Sequence, residues 1–190
     1  MDKSVGGLTV RILLSGLSGT GSTTAAKHIA ADLDLRYIYG GQIFRGLAVE
    51  RGVSLEDLAE SLERDQETER LIDRRLIEAG KDDHVLIESR PIGWLFPRDI
   101  AAIRVWLTCE LQERLRRVQG RENHPRSADN LLRREASDNR RYQALYGIAE
   151  ADFSPFDLVL DTTTLSVDEV VGRIESFVQQ RIPNQVGLAT

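Results

Sequence analysis

The chain has 190 residues, 41% of them hydrophobic, enough for one sizeable core with small appended lobes; its formal net charge of −5 excludes a general attraction to nucleic acid or to anionic membrane. A single cysteine, Cys109, excludes an internal disulfide, and three scattered histidines (His28, His84, His124) give no basis for a transition-metal site. No apolar run approaches the roughly 18 residues of a membrane span, and Met1 to Ser4 lacks the basic start and apolar block of a secretion signal, so a soluble, cytoplasmic protein is expected.

Leu8 to Ser15 reads as a buried central strand, nearly all apolar apart from Arg11. Gly16, Leu17, Ser18, Gly19, Thr20, Gly21, Ser22, Thr23 and Thr24 follow it directly, and a helix-forming segment, Ala25 to Leu33, comes next. That layout is a phosphate-binding loop. Glycines at 16, 19 and 21 allow the backbone to curl with its N–H groups inward, and the helix behind aims its positive end at the same point. The hydroxyls of Thr23 and Thr24 fall where such loops place a magnesium ligand and a phosphate contact. The usual lysine of the motif is absent, its place taken by Ser22. Lys27 is no substitute, because five residues along a helix turn its side chain by about 140° and lift it about 7.5 Å.

Arg36 to Tyr39 reads as a short second strand, broken by Gly40-Gly41 before a helix, Gln42 to Glu50, that carries Arg45. Gly52 ends that helix, and Ser54 is an N-cap for the next, to about Arg64. Gln66 to Ala79 forms a further helix with Gly80 as its expected C-cap. Most of the acids between Glu50 and Asp73 read as a solvated face, and none is assigned catalytic work. His84 to Ser89 is the third strand, and its polar ending, Glu88-Ser89-Arg90, lies where ligands gather in open parallel sheets. Ala101 to Thr108 is the fourth strand, with Cys109 expected as a buried small hydrophobe and Trp94, in the preceding loop, as packing or a ligand wall.

Of the 25 basic residues only Lys3, Lys27 and Lys81 are lysines, so 22 are arginines. Nine of these lie between Leu111 and Arg141 against five acids, a local balance of +4. Two helices, Leu111 to Gln119 and Ser127 to Tyr146, flank the polar break from Gly120 to Pro125; the pair fits either a hairpin folding over a polyphosphate or a solvated, ion-paired surface. Phe156 to Asp161 is a fifth strand, Val167 to Arg181 a last amphipathic helix, and 183–190 a frayed tail. Strands alternating with helices predict an α/β fold, a five-stranded parallel sheet with helices on both faces.

The ordered set of Gly16 to Thr24, Gly40 to Arg45, Ile72 to Leu76, Leu86 to Arg90 with Gly93-Trp94, Val105 to Leu107, Arg114-x-x-Arg117-x-x-x-Arg121, Arg141-Tyr142, Tyr146 to Ile148 and Phe156 to Thr162 resembles the archaeal-type cytidylate kinases, nucleoside monophosphate kinases of the P-loop NTPase fold. The resemblance implies a single domain with its core at about 8–39, 82–119 and 142–181, a helical nucleoside-monophosphate-binding insert at about 40–81 and a lid at about 120–141. It implies transfer of the γ-phosphoryl group of ATP to CMP or dCMP with Mg2+. Gly16 to Thr24 would hold ATP and Thr23 the metal. Arg45, Arg90 and Gly93 would bind the acceptor, and Arg117, Arg121, Arg134 and Arg141 would act in catalysis.

Partners would then be these small nucleotides, with no nucleic acid polymer and no membrane, in a monomer. Two departures stand out: Ser22 for the loop lysine, and Pro91-Ile92 where the family tends to have leucine and alanine. Two other readings remain open, a kinase of another small acceptor such as AMP or UMP and a catalytically weak nucleotide-binding regulator.

Overall fold

The computed structural model describes residues 10–119 and 128–185. In chain order the elements are β1 (Arg11–Gly16), α1 (Ser22–Asp32), β2 (Arg36–Tyr39), α2 (Gly40–Arg51), α3 (Leu55–Arg64), α4 (Gln66–Lys81), β3 (Val85–Glu88), α5 (Ile92–Leu95), β4 (Ile103–Thr108), α6 (Leu111–Gln119), α7 (Ala128–Tyr146), β5 (Leu158–Asp161) and α8 (Val167–Gln185). All five strands are parallel, in the order β2-β3-β1-β4-β5. β1 is central, with Ile12 paired to Leu86 on one side and to Ile103 on the other.

Because side chains alternate across a strand, β1 feeds two cores. Ile12 and Leu14 pack with Ala26, Ile29, Val171 and Ile174 beneath α1 and α8. Leu13 faces the other side, with Leu47, Leu58, Ile72, Leu76 and Phe96 beneath α2, α3, α4 and α5. Both faces are covered, which is why the strands read as apolar runs rather than alternating ones.

The caps work as the chain chemistry demands. Ser54 Oγ accepts from the Asp57 N–H at 3.0 Å at the start of α3, and Asp65 Oδ1 accepts from the Glu67 N–H at 3.0 Å at the start of α4. Gly80 is a correction. It lies buried inside α4, whose C-cap is Asp82. The carbonyls of its last turn are held by Arg11, which reaches from β1 to Gly80 O at 2.5 Å and Lys81 O at 2.9 Å. The missing side chain allows α4 to lie directly on the sheet: a Cβ at Gly80 would stand 2.4 Å from Ile87 Cδ1 and 2.7 Å from Phe96 Cε2. Gly80→Ala is therefore expected to cost about 1–3 kcal/mol through overpacking, read as a lower urea midpoint with an unchanged slope.

Other boundaries differ from expectation. α5 was not foreseen; it is one turn following Pro91, and its Trp94 ring lies edge-on to Trp106 (4.8 Å) and Phe156 (4.9 Å), which makes that tryptophan a packing residue. Cys109 follows β4 instead of lying within it and is half-buried. α8 continues through Pro183 to Gln185, so the expected tail is in part helical, and 186–190 lie outside the described residues. Among the described residues no helix is long and apolar enough to cross a membrane.

Candidate active site

The loop between β1 and α1 occupies the carboxyl edge of the sheet. Gly19 and Gly21 both have left-handed backbones, φ +87° and +93°, which residues with a Cβ rarely adopt. Thr20 is buried and locks the turn, its Oγ1 donating to Leu17 O at 2.8 Å, while Ser18 is exposed and the loop is open to ligand. α1 begins at Ser22 with no side-chain cap, which leaves its first N–H groups and dipole aimed at an incoming anion.

The parallel register brings Glu88, the last residue of β3, opposite Leu14 and hence alongside this loop. Ser22 Oγ and Thr23 Oγ1 donate to Glu88 Oε1 at 2.8 and 2.6 Å, and the Tyr37 hydroxyl donates to Oε2. Burial, reinforced by the bond to Glu88, raises the Tyr37 hydroxyl pKa, so it stays a donor. Ser22 thus spends its hydroxyl on the carboxylate, and Lys27 is exposed on α1. Glu88 was missing from the sequence-predicted site. Its signal was an acid closing an apolar strand at the ligand edge.

Beside the loop a cavity of about 490 Å3 opens between α1, α6 and the turn after β5, lined among others by Gly21, Thr24, Arg117, Thr163 and Leu165. Arg117 forms one wall and is held there by Glu113 Oε1 at 2.8 Å and Thr162 O at 2.7 Å. Hydrogen bonds from Arg116 and Arg117 hold the Glu113 carboxyl down at about 2. Its neighbour Arg114, also missed, is buried, donates to Ser18 O at 3.2 Å and pairs with Glu135 of α7. Its backbone lies against Gly19, where a Cβ would come within 2.8 Å of Arg114 O.

A second group lies where β3 ends and α7 crosses α4. Arg90 donates to Asp138 Oδ2 at 2.9 Å, Asn139 Oδ1 at 2.7 Å and Glu150, with the Tyr142 ring 5.9 Å away. Arg141 takes the other oxygen of Asp138 at 2.5 Å and Glu69 Oε2 at 2.6 Å. Tyr146 donates to Asp73 at 2.7 Å. Arg45 extends from α2 over the Tyr39 ring at 5.0 Å and is exposed, and the turn that starts its helix abuts Ser89, whose Oγ is 3.3 Å from a Cβ at Gly40.

The remaining predicted residues fall apart from these groups. Arg134 is exposed on α7, and Arg121 lies outside the described residues. Gly93 is buried against Phe156, where a Cβ would stand 2.1 Å from the ring, so packing accounts for it.

Glu69 and Asp73 are the exceptions within an acidic run that is otherwise mostly exposed, since they are 5% and 6% exposed. They share a stripe of α4 with Ile72 and Leu76, and that spacing was the available signal. Burial, with the neighbouring Glu69 adding to it against the Tyr146 hydrogen bond, pushes the Asp73 carboxyl up to about 7 from its ordinary 3.8. The folded chain therefore holds a proton that the unfolded chain releases near pH 4, and the stability this contributes is lost as pH rises toward 7. In urea titrations the wild-type stability minus that of Asp73→Asn is expected to fall between about pH 4 and 7 and level off above. A constant difference would show an ordinary carboxyl.

A five-stranded parallel sheet with a glycine loop aimed at an anion, and arginines gathered at the same edge, defines a P-loop kinase. Residues 12–143 match the family described as an AAA domain. Curated relatives are the cytidylate kinases of Sulfurisphaera tokodaii (39% identical, covering 87% of this chain and 93% of that one), Pyrococcus horikoshii (36%, 90% of each) and Methanocaldococcus jannaschii (34%, 88% and 96%). Solved structures that share the fold include a shikimate kinase from Bacteroides thetaiotaomicron (TM-score 0.63, 16% identical, 90% of this chain and 99% of that one) and a gluconokinase from Sinorhizobium meliloti (0.64, 13%, 96% and 99%). The chain belongs to the archaeal cytidylate kinase family and is an ATP-dependent phosphotransferase, a nucleoside monophosphate kinase.

Proposed function

We propose that the enzyme transfers the γ-phosphoryl group of ATP to CMP and dCMP. The observation that carries this reading is the adjacency of Glu88 and Arg90: one strand end places a carboxylate against the loop hydroxyls and, two residues on, a guanidinium tied to Arg141 through Asp138. Donor and acceptor anions could be held on either side of that strand end, and phosphoryl transfer asks for little beyond alignment and neutralisation.

In this reading the loop from Gly16 to Thr24 binds the triphosphate through its N–H groups, and the cavity walled by Arg117 takes the ATP base. Thr23 and Glu88 offer hard oxygen donors of the kind that suit Mg2+, and they are the residues that would hold it. Held there, Mg2+ would supply charge neutralisation for the transferred phosphoryl group, a share of it in place of the absent lysine. Arg45 and Arg90 orient the acceptor phosphate, and Arg141 leaves Glu69 and Asp138 to join them. The region 40–81 and the lid at 120–141 are the parts that close to exclude water.

A coupled ADP-release assay with ATP, Mg2+ and a panel of nucleoside monophosphates tests the assignment. Selective turnover of CMP and dCMP is the expected result. Selectivity for AMP or UMP would reassign the acceptor, and nucleotide binding without turnover would make the protein a regulator.

A further inference from the structure

Most shielded carboxylates of this chain are paired with an arginine, as Glu69, Glu135, Asp138 and Glu150 are. Glu88 is not. Half-buried at the end of β3, it has only hydroxyl partners among the described residues: Ser22 and Thr23 donate to Oε1 at 2.8 and 2.6 Å, and Tyr37 donates to Oε2. These three donors leave one of the roughly four lone-pair positions of the carboxylate open, on Oε2. Neutral donors orient a carboxylate without discharging it, so its charge remains available to a cation. An arginine in the place of Tyr37 would orient Glu88 as well but would compete with that cation.

Two of the three hydroxyls belong to the loop that faces the triphosphate; Tyr37 is the donor that comes from the sheet. The register sets Tyr39, not Tyr37, directly opposite Glu88, and Tyr37 opposite Leu86. Tyr37 nevertheless makes the bond, reaching diagonally across the strand pair, a span that an aromatic side chain covers. Its ring is packed against the core beneath α1 and α8, so the hydroxyl is presented from a fixed base. The Tyr39 ring is otherwise engaged. It stacks on Tyr37 with centroids 5.6 Å apart and 12° between the planes, and it lies beneath the Arg45 guanidinium at 5.0 Å. One short strand therefore supports both sides of the cleft, Tyr37 on the loop side and Tyr39 under Arg45. Packing and stacking ask for the ring of Tyr37 and not for its oxygen.

Resting on the reading above that Thr23 and Glu88 hold Mg2+, we propose that Tyr37 is a positioning residue for phosphoryl transfer, its sheet-anchored hydroxyl fixing the Glu88 carboxylate in one orientation beside the loop. Hydrogen bonds of this kind, made to a metal-binding carboxylate from behind, set how tightly the metal is held. Tyr37→Phe retains the ring, its core packing and its stack on Tyr39, and removes the oxygen that meets Glu88. Calorimetric ATP titrations of the full-length protein are expected to show an affinity about tenfold or more below wild type in Mg2+ and within about twofold of wild type in EDTA. The free Mg2+ needed for half-maximal turnover is expected to rise by a similar factor, about tenfold, with the KM for the acceptor nucleotide unchanged. A hydroxyl that only supports the fold would weaken ATP binding equally in Mg2+ and in EDTA, or would raise the acceptor KM through Tyr39 and Arg45. Either result, or wild-type affinity in Mg2+, overturns the proposal. Glu88→Gln, titrated alongside, tells which step has failed. If it binds ATP in Mg2+ as wild type does, the metal reading of Glu88 falls and this inference with it; if it loses that affinity while Tyr37→Phe keeps it, the inference alone falls.

Discussion

Replacing Arg90 with alanine is expected to lower kcat/KM for the acceptor nucleotide by about a thousandfold while ATP affinity changes by no more than a few-fold. Its side chain is only 12% exposed and is held by Asp138, Asn139 and Glu150. A guanidinium already oriented in a poorly solvated pocket costs little to redirect onto a phosphate. The loss is compounded by what remains. Without Arg90, Glu150 loses its cation and Asp138 keeps only Arg141, so both carboxylates bear on the incoming dianion less well neutralised. Arg90→Lys keeps the charge but cannot serve three acceptors with one compact ammonium, so an intermediate loss is expected, on the order of 10- to 100-fold. Steady-state kinetics with varied acceptor, paired with calorimetric ATP titration, measure both quantities. An equal loss in the two would mean that Arg90 supports the loop instead of the acceptor.

The largest effect on stability is expected from Glu135→Ala, about 3–5 kcal/mol, or a drop in Tm of roughly 6–20 °C for a chain of this size. Arg114 and Glu135 have side chains 6% and 11% exposed, and Arg114 Nε is buried with no hydrogen-bond partner among the described residues. Removing the carboxylate leaves a buried cation whose remaining hydrogen bond among the described residues is to the Ser18 carbonyl, at 3.2 Å. The double replacement Arg114→Met with Glu135→Leu should recover most of the stability, because two desolvated charges are removed together. It should not recover ATP affinity, since Ser18 would still lack its donor and the wall behind Gly19 would have changed. Thermal melts and ATP titrations on the three proteins separate these effects; recovery of both would make the pair structural only.

Ser22 bears on both results. With no lysine in the loop, the positive field at a bound triphosphate would have to come from backbone N–H groups, from a bound metal and from arginines on other elements. That is consistent with the way α6 is pinned to the loop twice, by Arg114 to Ser18 O and by Arg117 to Thr20 O.

The element order and the sheet were legible because each cue was local. β1, β3 and β4 are flanked on both sides and covered on both faces, so their burial is written as apolar runs; Gly19 and Gly21 mark the loop because their backbone angles exclude most other residues. Gly80 was misread for the complementary reason. A glycine near a helix end has the same sequence signature whether it caps the helix or admits the ring of Phe96, which lies 16 residues on in the chain and meets Gly80 only once α4 lies on the sheet. Glu69 and Asp73 were passed over because acidic composition outweighed their place on the apolar stripe.

What the sequence determined by itself is the fold class, the phosphate loop and the family, each carried by neighbours in the chain. What only the tertiary structure decided is the division of labour among the arginines. Arg11 and Arg104 are spent on backbone carbonyls, Arg114 on a buried carboxylate, and Arg90 and Arg141 on carboxylates at the ligand edge. The physical reason is that a guanidinium has the same charge and shape everywhere in the chain, and its role is set by the acceptors that distant segments bring to it.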